Sequence, residues 1–86
     1  MSKPYQIMFT RQAFKDFKTL TPKLQTKLKG ILMEIISKEP YSGKRLLGEL
    51  KGNYSYRLNL KDRIVYAVDE RMKQINIKRV RTHYGE

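Results

Sequence analysis

The 86-residue chain carries 19 Lys+Arg against 8 Asp+Glu, a formal charge of +11, with 40% hydrophobic residues, no cysteine and one histidine. That composition excludes disulfides, thiolate zinc sites and multi-histidine metal centres, so no cofactor is expected, and it suits one domain over residues 1–86 with a modest core. Such an excess of positive charge favours a polyanionic partner, nucleic acid first. No apolar run approaches the ~20 residues of a membrane span and MSKPYQIMF lacks the apolar core of a secretory signal, so a cytoplasmic protein without a membrane partner is expected.

The segment YQIMF, residues 5–9, is β-compatible, and Thr10 sits where a helix N-cap would be. From residue 11 to 20, Ala13, Phe14, Phe17 and Leu20 recur at helical spacing, predicting a short amphipathic helix. Thr21 and Pro22 then supply a cap and a first helical residue for a second helix. Its stripe of Leu24, Leu28, Ile31, Leu32, Ile35 and Ile36 runs to about residue 38, where Glu39-Pro40 and Gly43 stop it.

The connection KRLLGELKGN is basic and punctuated by Gly48 and Gly52, with Leu46, Leu47 and Leu50 available to tack it onto the core. Beyond it the period changes to two. Tyr54, Tyr56, Leu58 and Leu60 alternate with polar residues, KD turns into RIVYAV, and DERMKQ turns into INIKRV. The order is β-α-α-β-β-β, an α+β fold with a helical hairpin packed on one face of an antiparallel sheet.

If the apolar side of the meander meets the helices, Arg57 lies on the open face with Ser55 and Asn59, and Arg63 stands at its rim. Lys78, Arg79 and Arg81 extend the positive edge towards the C-terminus. Tyrosines 54, 56, 66 and 84 can stack on unpaired bases, but those that alternate within the strands are expected in the core, so Tyr84 is the best candidate because it falls outside the strand pattern. Asp62 is expected as a surface partner of a neighbouring lysine. Cleaving RNA without a metal needs a base for the ribose 2′-OH, cations for the phosphate and an acid for the departing 5′-oxygen. Glu49, Arg57 with Arg63, and His83 are residues of the types this chemistry uses.

The order of elements, the core YSYRLNLKDRIVYAV and the ending THY resemble the RelE/ParE superfamily of bacterial toxins, most closely its YoeB/Txe branch. The most specific features are Arg57 six residues before Arg63, which opens RIVYAV, and the pair His83-Tyr84. The resemblance implies a RelE-like toxin of a type II toxin–antitoxin system, an endoribonuclease that enters the ribosomal 30S A site and cuts mRNA there. It implies that Arg63 contacts the scissile phosphate, that Arg57 is a supporting charge, that His83 is the general acid and that Tyr84 orients or stacks on substrate. Lys51 matches a phosphate or ribosomal RNA contact. A cognate antitoxin is implied as partner, with operator DNA reached only through it.

The chain departs from the branch at the catalytic glutamate. There it stands within K-P-E-P-L-K, whereas LLGELK places Gly48 opposite and Glu49 one residue later. Either Glu49 is the base, or Lys51 or Lys44 shares the work, as in RelE relatives that lack the glutamate. Gly85 and Glu86 also follow the usual terminal pair. A ParE-like inhibitor of DNA gyrase and a non-catalytic basic RNA-binding protein are the alternatives.

Overall fold

The computed structural model describes residues 4–48 and 51–81. Along the chain, β1 (Gln6–Phe9) leads into α1 (Arg11–Thr19) and α2 (Pro22–Ile31), and α2 runs on into a wider π turn at Leu32–Ile36. A 3-10 turn at Pro40–Ser42 precedes β2 (Lys44–Arg45), β3 (Tyr54–Arg57), β4 (Arg63–Asp69) and β5 (Gln74–Arg79).

Both helices start where the sequence predicts, for the predicted reason. Thr10 is extended and its Oγ1 accepts from the Ala13 N–H at 3.1 Å, and Thr21 Oγ1 likewise accepts from the Leu24 N–H at 3.3 Å with Pro22 beginning the helix. Each bond satisfies an N–H that a helix start leaves without a partner, and is worth about 1 kcal/mol. In the π turn the Ser37 N–H donates to the Leu32 carbonyl at 2.9 Å, and Glu39-Pro40 ends the helical path.

The sheet has the order β1-β5-β4-β3-β2. The helical hairpin covers one face, as expected, but the sheet is mixed rather than antiparallel. β1 pairs parallel with β5, Gln6 opposite Gln74 through Phe9 opposite Ile77. Alternating hydrophobicity marks a strand without marking its neighbour's direction, which the path of the helices decides here. The connection after Gly43 also contains a strand the sequence reading did not predict. It is two residues long, with Lys44 opposite Ser55 and Arg45 opposite Tyr54, too short to show any period.

Ile64 and Tyr66 of β4 and Ile75 and Ile77 of β5 form the sheet side of the core, against Leu28, Leu32 and Ile36 of the helical layer. Full burial of such side chains contributes about 1.5–3 kcal/mol each. Tyr66 is wholly buried and stacks on Tyr54, with ring centroids 5.7 Å apart. Its hydroxyl donates to the Pro40 carbonyl at 2.8 Å and accepts from the Gly43 N–H at 3.1 Å, fastening the 3-10 turn to the sheet. A Cβ at Gly43 would lie 2.5 Å from that hydroxyl and 2.8 Å from the Ser55 carbonyl oxygen, so the approach requires glycine.

At the β4–β5 turn, Glu70 accepts from the hydroxyls of Tyr5 (2.8 Å) and Tyr41 and from Lys73 Nζ (2.9 Å). These bonds, Tyr41's first, lower the Glu70 carboxyl to about 2, and the Glu70 bond raises the Tyr41 hydroxyl to about 12.

Some expected core contacts do not form. Leu60 is 92% exposed because β3 ends at Arg57 and Asn59 closes a turn, its Oδ1 accepting from the N–H groups of Lys61 (2.8 Å) and Asp62 (2.6 Å). Leu47 is 81% exposed, Leu46 is half-buried, and Leu50 lies outside the described residues.

Candidate nucleic-acid interface

Tyr54 and Tyr56 of β3 and Ile64 and Tyr66 of β4 point to the helices, so strand alternation turns Ser55, Arg57, Arg63 and Val65 to the opposite face. There the register sets Arg57 directly opposite Arg63 and Ser55 opposite Val65. Directly opposed residues of an antiparallel pair have their Cβ atoms ~4.5–5.5 Å apart, and like charges so placed repel. Arg57 is exposed and Arg63 half-buried, and neither guanidinium makes a hydrogen bond or an ion pair with a described residue. Two free guanidinium forks side by side suit an anion that bridges them, because each fork can make paired charge-assisted bonds to phosphate oxygens.

Hydrogen bonds close the turn behind this pair. The Asp62 carbonyl accepts from the N–H groups of Leu58 (3.0 Å) and Asn59 (3.3 Å), and its Oδ2 accepts from Asn59 Nδ2 at 3.2 Å. Asp62 is therefore not the exposed partner of a lysine that the sequence suggested. It is 6% exposed and builds the turn that presents Arg63, and its Oδ1 has no hydrogen-bond partner among the described residues.

The other predicted residues divide. Lys44 on β2, Lys51 in the turn before β3 and Lys78 on β5 are exposed. Arg79, expected on the positive edge, is instead turned to the helices, its Nε donating to Asp16 Oδ2 at 2.7 Å and its Nη2 to Oδ1 at 3.4 Å. Asp16 is 7% exposed and also accepts from Gln12 Nε2 (3.0 Å) and the Val80 N–H (3.2 Å). Burial alone would push its carboxyl up, but the bonds from Arg79, Gln12 and Val80 outweigh it and hold the carboxyl below its ordinary 3.8. Arg81 is exposed, with Nη1 donating to the Thr19 carbonyl at 3.1 Å. Tyr54 and Tyr56 pack half-buried against the core, and Tyr66 lies wholly inside it, which removes Tyr66 as a base-stacking surface. Glu49, His83 and Tyr84 lie outside the described residues.

Sequence reasoning missed Lys27. It comes from α2 to an open cleft of about 700 Å³ at the β2–β3 edge, lined also by Ser42, Lys44, Ser55, Arg57 and Asn59. Its only signal in the sequence was a place beside the apolar stripe of the helix. Among the described residues no helix is long and apolar enough to cross a membrane, and no three acidic or histidine side chains group as metal ligands.

A helical hairpin on a mixed five-stranded sheet is the fold of RelE-like structures. The toxin–antitoxin complex RelBE2 from Mycobacterium tuberculosis contains a chain that superimposes with a TM-score of 0.83 at 31% identity, over 96% of this chain and 94% of that one. The YoeB–YefM complex from Staphylococcus aureus gives 0.76 at 31% identity over 95% and 100%. The intact RelBE complex from E. coli gives 0.76 at 23% identity over 91% and 95%, a likeness of fold. A search of curated proteins found no match. The family model for the YoeB-like toxin of bacterial type II toxin–antitoxin systems matches residues 9–84. The chain belongs to that family, in the YoeB branch of the RelE/ParE superfamily.

Proposed function

We propose that this toxin is a metal-independent endoribonuclease that cuts mRNA in the ribosomal A site and so arrests translation. The observation that carries the reading is the Arg57–Arg63 couple, its guanidinium groups without an ion-pair partner among the described residues and held directly across β3 and β4 on the face opposite the helices. A pentacoordinate phosphorane gains negative charge on its non-bridging oxygens, and fixed cationic donors stabilise that charge more than the ground state.

In this reaction Glu49, or a lysine such as Lys51 or Lys44, takes the 2′-OH proton. The 2′-oxygen attacks phosphorus, the bond to the 5′-oxygen breaks, and His83 protonates the leaving oxygen. The products are a 2′,3′-cyclic phosphate and a 5′-hydroxyl. Arg63 contacts the scissile phosphate, Arg57 supports it, and Tyr84 stacks on the substrate. Lys44, Lys51 and Lys78 add long-range attraction to RNA phosphates. The chain acts as one domain over residues 1–86 and is held inactive in the cell by a cognate antitoxin, a reading supported by similar chains found in toxin–antitoxin complexes. Operator DNA is reached only through the antitoxin.

Primer-extension mapping of mRNA in a reconstituted translation mixture tests this. Cuts at A-site codons that need ribosomes and vanish with Arg63→Ala are expected. Intact mRNA with the wild-type chain overturns the reading, and relaxed or broken DNA in arrested cells would point to gyrase instead.

A further inference from the structure

The cleft at the β2–β3 edge has cations on three sides. Lys27 reaches it from α2, Lys44 from β2 and Arg57 from β3, and among the described residues none of its lining side chains is acidic. Lys27 and Lys44 are exposed, and neither makes an ion pair with a described residue. β2 pairs with β3 no further than Lys44 opposite Ser55, so the edge of β3 continues past it unpaired at Arg57. Ser42 and Asn59 add polar groups, and Leu60, 92% exposed, supplies an apolar surface at the mouth.

Arg57 belongs both to this cleft and to the couple with Arg63. A strand whose phosphate sits on the couple therefore has a continuous positive path into the cleft. We propose that the cleft binds the sugar-phosphate backbone of single-stranded RNA beside the cleaved bond, with Lys27 and Lys44 as its phosphate contacts and Leu60 as a wall for an unpaired base. Only the choice of RNA over other polyanions rests on the nuclease reading. The arginine fork and the exposed apolar surface favour nucleic acid over an acidic peptide, because together they match a phosphate and a base.

The test uses the full-length toxin and a labelled 12-nucleotide 2′-O-methyl RNA, which lacks the attacking hydroxyl and cannot be cut. Binding is followed by anisotropy across a salt series. Each lost phosphate contact reduces the slope of log K against log salt by about 0.7 for a single strand. Lys27→Ala should therefore lower the slope by about 0.7, and Lys27→Ala with Lys44→Ala by about 1.4. Lys29→Ala is the control: it removes the same charge from the same helix at a residue that lies over the Phe17 ring in another groove. Lys29→Ala should leave the slope near wild type.

Equal slopes for the Lys27 and Lys29 variants would mean that net charge alone acts, and would overturn the assignment. So would a polyglutamate chain of matched charge that binds as tightly as the RNA and responds as strongly to Lys27→Ala. Because the strand cannot be cut, this outcome is independent of the primer-extension result, and either reading can fail alone.

Discussion

Asp16 joins α1 to the end of β5, and replacing it probes how the last strand is held against the helices. In Asp16→Asn the shape is kept and one oxygen can still receive Arg79 Nε and the Val80 N–H, now 2.7 and 3.2 Å from Oδ2. The charge is lost, and with it the second acceptor for Arg79 Nη2. A hydrogen bond to a charged group contributes about 1.5–3 kcal/mol, and the Arg79 side chain is 40% exposed, so water replaces part of it; about 1.5–2 kcal/mol is expected. Asp16→Ala goes further. It leaves the N–H of fully buried Val80 without its acceptor, which adds about 1–3 kcal/mol. For a domain of this size about 1 kcal/mol moves Tm by roughly 4–8 °C, so Asp16→Asn should melt about 6–16 °C lower at pH 7.

The pH dependence gives an independent check. The folded-state carboxyl lies below its ordinary 3.8, so its contribution is fully present above about pH 4 and fades as pH falls through the lowered value. Urea unfolding at pH 7, 4 and 3 should show the gap between wild type and Asp16→Asn largest at pH 7 and narrowing with acid. Other carboxylates titrate in both proteins and cancel in the difference. A melting point within 1 °C of wild type at pH 7, or a gap unchanged down to pH 3, would refute the reasoning.

Arg63→Ala should lower single-turnover cleavage about 10²–10³-fold, as for loss of one preorganised donor, while urea unfolding shows stability little changed because the Arg63 side chain bonds to no described residue. Tyr66→Phe leaves the Gly43 N–H and the Pro40 carbonyl without their buried partner and should cost about 1–3 kcal/mol in urea unfolding. Gly43→Ala, which drives a methyl group into that same hydroxyl, should cost a similar ~1–3 kcal/mol, and a neutral result for both would contradict the close packing of the 3-10 turn on the sheet. Ultraviolet titration should show one tyrosine ionising near 12, moving back towards 10.0 in Glu70→Gln. In wild type the Glu70 contribution is present above about pH 4.5 and lost as pH falls through about 2, so amide exchange at Tyr5 and Tyr41 should quicken only in strong acid.

Local signals in the sequence determined much of this protein. Thr10, Thr21 and Pro22 mark helix starts because capping is a contact between residues three apart, and the helical stripes mark the buried faces except at Phe14, which is 51% exposed. The alternation around Arg57 and Arg63 placed both on the face away from the helices, since adjacent strand residues must point oppositely. What depends on distant neighbours was decided only by the tertiary structure. A short run of alternating residues does not state its partner's direction, so the parallel β1–β5 pair was invisible, and a two-residue β2 has no period to detect. Arg79 and Asp62 looked like surface charges because the sequence shows a residue's type and not what packs over it. Arg79 is claimed by Asp16, 63 positions away, and Asp62 is buried by the turn it builds. Lys27 enters the basic cleft for the same reason: α2 is laid beside the edge of β3, a juxtaposition that only the folded chain creates.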